Sequence, residues 1–99
     1  MKVVWSDPAI SDLEAVRDYI SRDSESNACR FLSRLIESVD ILERFPEAGQ
    51  ILPEYAKWSL RELVHRNYRI IYQCRVDHVR ILAVVHAARN IDLLNLLNR

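Results

Sequence analysis

Three side chains able to move a proton or hold an anion lie within about twenty residues of one another in the second half of the chain: Arg69, His86 and Arg89. An imidazole titrates near neutrality and can serve as acid or base. Two guanidiniums can grip a phosphate through paired N–H donors while charge develops on it. Together they could hold a phosphate group and offer it an acid or base. The same set would also bind protein carboxylates. Arg61, Arg75 and Arg80 add cations nearby and suit either partner contacts or a solvated basic face. For His86 the competing reading, which we favour, is a ring hydrogen-bonded to backbone that fastens the C-terminal segment. Arg69 on a strand more often pairs with a carboxylate than with phosphate. His65 and His78 fall in turns and carry no functional argument.

These residues need a rigid platform, and the stretch from Tyr68 to Arg89 supplies one. Tyr68–Arg75 and Val79–His86 are rich in β-branched and aromatic residues and flank Val76-Asp77-His78, which predicts an antiparallel hairpin. The period of two places Tyr68, Ile70, Tyr72 and Cys74 on one face and Arg69, Ile71, Gln73 and Arg75 on the other. Tyr68 and Tyr72 therefore read as core rather than as a base-stacking platform. Ile81 to Val85 is apolar without alternation, so this strand is expected at the centre of a sheet covered on both faces. It delivers His86, and then Arg89, to one edge of the fold.

Upstream, Lys2-Val3-Val4-Trp5 reads as a short strand. Ser6-Asp7-Pro8 then starts a helix, with a capping oxygen followed by proline where no N–H is needed. Ile10, Leu13, Val16, Tyr19 and Ile20 recur at helical spacing. A polar break over 21–26 leads to a second helix that begins near Ser24 or Ser26. Its apolar stripe comprises Ala28, Phe31, Leu32, Leu35, Val39 and Leu42, ending near Arg44, so the two helices form an antiparallel pair. The stretch 45–50 contains the only glycine and interrupts regular structure. Trp58–Val64 is expected as a strand, His65-Arg66-Asn67 as a turn, and 91–97 as a terminal helix or docking tail. The prediction is an α+β two-layer fold of order β-α-α-β-β-β with a short C-terminal helix, the helical hairpin packed on a small, mainly antiparallel sheet.

With 99 residues, 49% of them hydrophobic, the chain suits a single domain over 1–99. No apolar run approaches the roughly 20 residues of a membrane span, and no leader-like segment opens the sequence, which points to the cytoplasm. Cys29 and Cys74 lack metal or redox spacing and read as buried thiols, and neither metal nor cofactor is expected. Net charge is zero, yet residues 1–56 hold six bases against eleven acids while 57–89 hold seven bases against Glu62 and Asp77. An acidic helical layer under a basic sheet could meet an acidic protein segment or a phosphate backbone, or could simply keep the domain soluble.

Nearly the whole chain resembles the RelE/ParE toxins of bacterial type II toxin–antitoxin modules. The likeness rests on Trp5-Ser6, the helical hairpin, Phe45-Pro46 with Gly49, Arg61-Glu62-Leu63, Tyr68-Arg69-Ile70-Ile71-Tyr72, and Val85-His86 with Arg89. It looks most like the ParE branch. The resemblance implies a plasmid-stabilisation-type toxin that inhibits DNA gyrase by protein binding and is neutralised by a cognate antitoxin. The RelE branch implies instead a ribosome-dependent messenger-RNA endoribonuclease, with Arg69, His86 and Arg89 as its candidate catalytic residues. Two lysine positions of RelE-type nucleases fall here on Leu60 and Glu62, and a C-terminal tyrosine position falls on Asn95, so half that constellation is missing. A third possibility is a non-toxic homologue kept as an interaction module. The partner-binding candidates are Arg61, Arg69, Arg75, Arg80 and Arg89, with Leu93, Leu94 and Leu97 of the leucine-rich tail, which would otherwise dock on the domain itself. An antitoxin would lay a helix along the helical pair and an extended stretch along the sheet.

Overall fold

Ser6 is the pivot between the first strand and the first helix. Its N–H donates to the Ile81 carbonyl at 3.0 Å and its hydroxyl accepts from the Ala9 N–H at 3.1 Å, so one buried residue ends β1 (Lys2–Trp5) and caps α1 (Asp7–Ser21). Pro8 occupies the first turn, where a missing N–H costs nothing. Ser24 repeats the device for α2 (Glu25–Val39), accepting from the Asn27 N–H at 3.2 Å. Of the two starts the sequence allowed, the chain uses Ser24. The α-helix gives way at Asp40 to a 3₁₀ turn (Asp40–Glu43), and of the expected stripe Ala28, Leu35, Val39 and Leu42 are buried while Phe31 and Leu32 are partly buried. The stripe on α1 is narrower than expected: Ala9, Leu13 and Val16 are buried, whereas Ile10 and Tyr19 are exposed.

The computed structural model describes residues 1–89 and 92–99, with backbone only at Leu93 and Leu94. Its described strands form one sheet in the order β1-β5-β4-β3-β2, with β2 (Gln50–Ile51), β3 (Leu60–His65), β4 (Tyr68–Cys74) and β5 (His78–His86). β1 runs parallel to its neighbour β5, and the other described pairs are antiparallel. The expected α+β architecture is therefore present, with an added two-residue strand that sequence patterning did not reveal. Residues 53–58 form a 3₁₀ segment rather than the start of a strand, so Trp58 lies just outside β3.

Both faces of the sheet are covered. The helices pack Leu13, Val16, Leu35 and Val39 against Ile70, Tyr72, Val79 and Ile81. On the opposite face Leu60, Ile71, Leu82, Ala83 and Val85 lie beneath the 3₁₀ segment and the C-terminal turn (Leu93–Asn98), which contributes Leu96. Burial of β5 on both sides explains its unbroken apolar run. A β-bulge adds a second cause. Ile71 pairs with Ala83 but Tyr72 pairs with Ile81, leaving Leu82 as the extra residue. Leu82 and Ala83 consequently share a face, and every later residue of β5 is turned over. Without the bulge His86 would project on the side away from the helices.

The loop 45–49 is tied down by Tyr72. Its hydroxyl accepts from the Gly49 N–H at 2.8 Å and donates to the Pro46 carbonyl at 2.9 Å. A Cβ at position 49 would stand 2.5 Å from that hydroxyl oxygen and 2.7 Å from the Glu62 carbonyl, so only glycine lets the loop approach so closely. Burial pushes both the Tyr72 hydroxyl and the Cys74 thiol above their ordinary pKa values. Cys74 is only half-buried and Cys29 is exposed on α2, whereas both cysteines were expected as buried thiols. Position 29 lies beside Ala28 and turns away from the sheet.

Candidate partner-binding surface

His86 closes β5 opposite Tyr68, and the two rings meet edge to face with centroids 5.3 Å apart. The Nδ1 of His86 accepts from the Ala88 N–H at 3.2 Å, while Nε2 lies 3.1 Å from the Asn67 side-chain amide. The Asn67 atom at that distance is the side-chain nitrogen, so both ring nitrogens of His86 face N–H groups. The ring is thus bonded to backbone only two residues further along the chain. Asn67 also accepts the Ala87 N–H through its carbonyl at 2.7 Å, so the end of β5 is stitched to the β3–β4 turn.

Beside His86, α1 contributes Asp12, Val16 and Tyr19 to a small cleft of about 170 Å³ shared with Tyr68 and Arg89. Asp12 accepts the Val84 N–H at 3.0 Å and the Arg99 guanidinium at 2.8 Å, while Arg99 also reaches the Leu82 carbonyl at 3.2 Å. Past the end of β1 these two side chains satisfy the open edge of β5, which would otherwise expose unpaired backbone. Burial, with Tyr19 nearby, raises the pKa of Tyr68 and keeps its phenol neutral. Sequence reading missed Asp12, Tyr19, Asn67 and Arg99. The contacts of Asp12 and Arg99 span 17 to 87 residues and leave no local signal.

Arg69 lies elsewhere. It pairs with Val85, the neighbour of His86, and therefore projects from the face opposite the histidine. Its Nε is 2.6 Å from a Glu62 carboxylate oxygen, both side chains being largely covered, and it borders a separate cleft with Leu52, Pro53 and Tyr55. Arg61 is also occupied, donating to the Gly49 and Glu47 carbonyls at 2.9 and 3.3 Å. Arg75 is exposed at the β4–β5 turn, and half-buried Arg80 donates to the Arg99 carbonyl. Arg69, Arg75 and Arg80 share the face away from the helices by alternation, Arg61 lies on the helix side, and Arg89 is exposed beyond β5. The five arginines thus do not form one basic face. Leu97 packs against the second core cluster, the self-docking alternative for the tail. The side chains of Leu93 and Leu94 fall outside the described residues. Among the described residues no cluster of His, Cys, Asp or Glu could hold a metal ion, and no helix is long and apolar enough to cross a membrane.

Comparison with known proteins supplies the remaining observations. Residues 3–91 match the family model for the ParE toxin of the type II toxin–antitoxin system parDE. Toxin RelE2 of Caulobacter vibrioides is 40% identical over 89 residues, covering 89% of this chain and 97% of that one. Putative toxin Y4kP of Sinorhizobium fredii is 33% identical over 87 residues, covering 87% and 88% respectively. A chain from a solved structure of the chromosomal ParDE toxin–antitoxin system of P. aeruginosa superposes with a TM-score of 0.74 at 21% identity, covering 87% of this chain and 95% of its own, and so shares the fold.

Proposed function

Because the chain belongs to the ParE toxin family of type II toxin–antitoxin systems, we propose that it acts in the cytoplasm as an inhibitor of DNA gyrase that works by protein binding and is masked by a cognate antitoxin. The observation that carries this reading is the position of Arg69. A nuclease built on Arg69, His86 and Arg89 needs all three around one phosphate. Here the sheet separates Arg69 from His86, and Glu62 already holds the guanidinium at 2.6 Å. Glu62 would also repel a phosphate brought to that face. Both nitrogens of His86 are engaged by the turn and by backbone, which suits a fastening role. The antitoxin is supported by family membership and by the ParDE toxin–antitoxin system of which one chain shares the fold.

Expression without a partner protein tests the proposal. Growth arrest with double-strand breaks and an SOS response, transcripts remaining intact, is the expected result, and purified protein should block supercoiling by gyrase. Undiminished supercoiling at a large molar excess of the protein overturns gyrase inhibition. Rapid transcript cleavage on the ribosome would transfer the reading to the endoribonuclease, and normal growth to a non-toxic interaction module.

A further inference from the structure

We propose that the recess between α2 and the β3–β4 turn is a receptor for the carboxylate side chains of an acidic segment on a partner protein. It is separate from the His86 cleft and from the Arg69 face, and it does not depend on which macromolecule the toxin inhibits. Asn27, Arg30, Phe31 and Arg34 stand three, four and seven residues along α2, which places them on a single stripe. The turn brings Arg66 and Asn67 across from that stripe, enclosing a cavity of about 480 Å³. Three guanidiniums therefore border one recess.

None of these arginines forms an ion pair among the described residues. Arg30 donates to the neutral amide of Asn27, and the ion pairs among the described residues all lie elsewhere. Such an arrangement carries costs. Like charges at i and i+4, as in Arg30 and Arg34, repel along a helix. Arg66 holds φ at 58°, in the left-handed region that a glycine would occupy without steric penalty. The cavity wall contains a further unmet group: the Nε2 of His65 is buried without a hydrogen-bond partner, its ring packed edge to face on Phe31 at 5.5 Å. Burial first, then Arg66 and Arg34, depress its pKa, so the imidazole is neutral and leaves all the positive charge to the arginines. An entering anion would relieve the repulsion and find fork-shaped donors.

The recess favours a peptide carboxylate over a nucleic-acid backbone. Nucleic acid affinity comes from a track of several phosphate contacts. Here the cations converge on one pocket with the Phe31 ring as an apolar wall, in a chain of net charge zero whose helical half is acidic. One or two side chains, not a strand of phosphates, match that shape.

The full chain can be titrated with fluorescent hexaglutamate and hexaglutamine peptides at near-physiological salt, with oligothymidylate and inorganic phosphate as further arms. Hexaglutamate should bind and hexaglutamine should not. Arg34→Gln should weaken the peptide about tenfold, as loss of a charged hydrogen bond implies. Arg66→Gly should weaken it similarly while melting no lower than the unaltered protein, because glycine suits that backbone conformation. Arg17→Gln, on α1 and away from the recess, should leave binding unchanged. Bound peptide should also raise the pH at which the His65 ring titrates in NMR spectra, and that response should vanish in the Arg34→Gln, Arg66→Gly double variant. Absence of saturable peptide binding overturns the proposal, as does an equal loss in Arg17→Gln. Tighter, arginine-dependent binding of oligothymidylate or phosphate would assign the recess to a phosphate ligand instead.

Discussion

Replacing Tyr72 by phenylalanine removes one oxygen atom from the point where the 45–49 loop is fastened to the sheet. The ring is fully buried, and its hydroxyl has two partners, the Gly49 N–H at 2.8 Å and the Pro46 carbonyl at 2.9 Å. Each neutral hydrogen bond contributes about 1 kcal/mol net, and a donor or acceptor left unpaired in a dry site costs about 1–3 kcal/mol. The loop can swing partly into water and recover some of this, so the expected loss is about 2 kcal/mol. For a domain of this size that corresponds to a fall in melting temperature of about 10 °C. Urea unfolding followed by tryptophan fluorescence measures it. Tyr68→Phe is the control, since the Tyr68 hydroxyl has no hydrogen-bond partner among the described residues, and it should change stability by less than about 0.5 kcal/mol. Gly49→Ala probes the same junction from the other side. Its Cβ would collide with the hydroxyl at 2.5 Å, so the alanine should be less damaging in the Tyr72→Phe background than alone, a coupling visible in a double-mutant cycle. If Tyr72→Phe unfolds at the urea concentration of the unaltered protein, the hydroxyl does not anchor the loop and the reasoning fails.

Two further measurements address charge. Arg69→Ala leaves the Glu62 carboxylate, 16% exposed, without its counterion and should cost about 1–2 kcal/mol in thermal unfolding, whereas Arg69→Met combined with Glu62→Leu should recover most of that loss. His65 has a folded-state pKa below its ordinary value of 6.5, because burial and then Arg66 and Arg34 oppose its charge. A depressed pKa means that the unfolded chain takes up the proton first, so this contribution is present above pH 6.5 and is lost as pH falls through the folded value. The stability difference between the unaltered protein and His65→Phe should therefore shift against the unaltered protein on acidification, and a difference independent of pH between 7 and 5 would contradict the assignment.

Local patterning in the sequence determined most of the architecture. Ser6 and Ser24 announce the helix starts because a hydroxyl that caps backbone N–H groups is a short-range device. The alternation of Tyr68, Ile70 and Tyr72 announces one buried face of β4 because pleating has a period of two. The non-alternating run in β5 correctly indicated a strand covered on both sides. Only tertiary structure decided which residues meet. The extra residue at Leu82 reverses the side on which His86 projects, and a one-residue register shift has no signature in composition or period. That bulge sets His86 and Arg69 on opposite faces, although both had appeared as members of a single site. Gln50 and Ile51 make a strand only because the Tyr72 hydroxyl and the glycine beside it hold the preceding loop near β3. Asp12 and Arg99 complete the edge of β5 across sequence separations of 72 and 17 residues, and Arg66 reaches the arginines of α2 through a turn in a strained conformation. In each case the cause is a pairing between distant segments, whose free energy depends on three-dimensional register and not on the residue's neighbours in the chain.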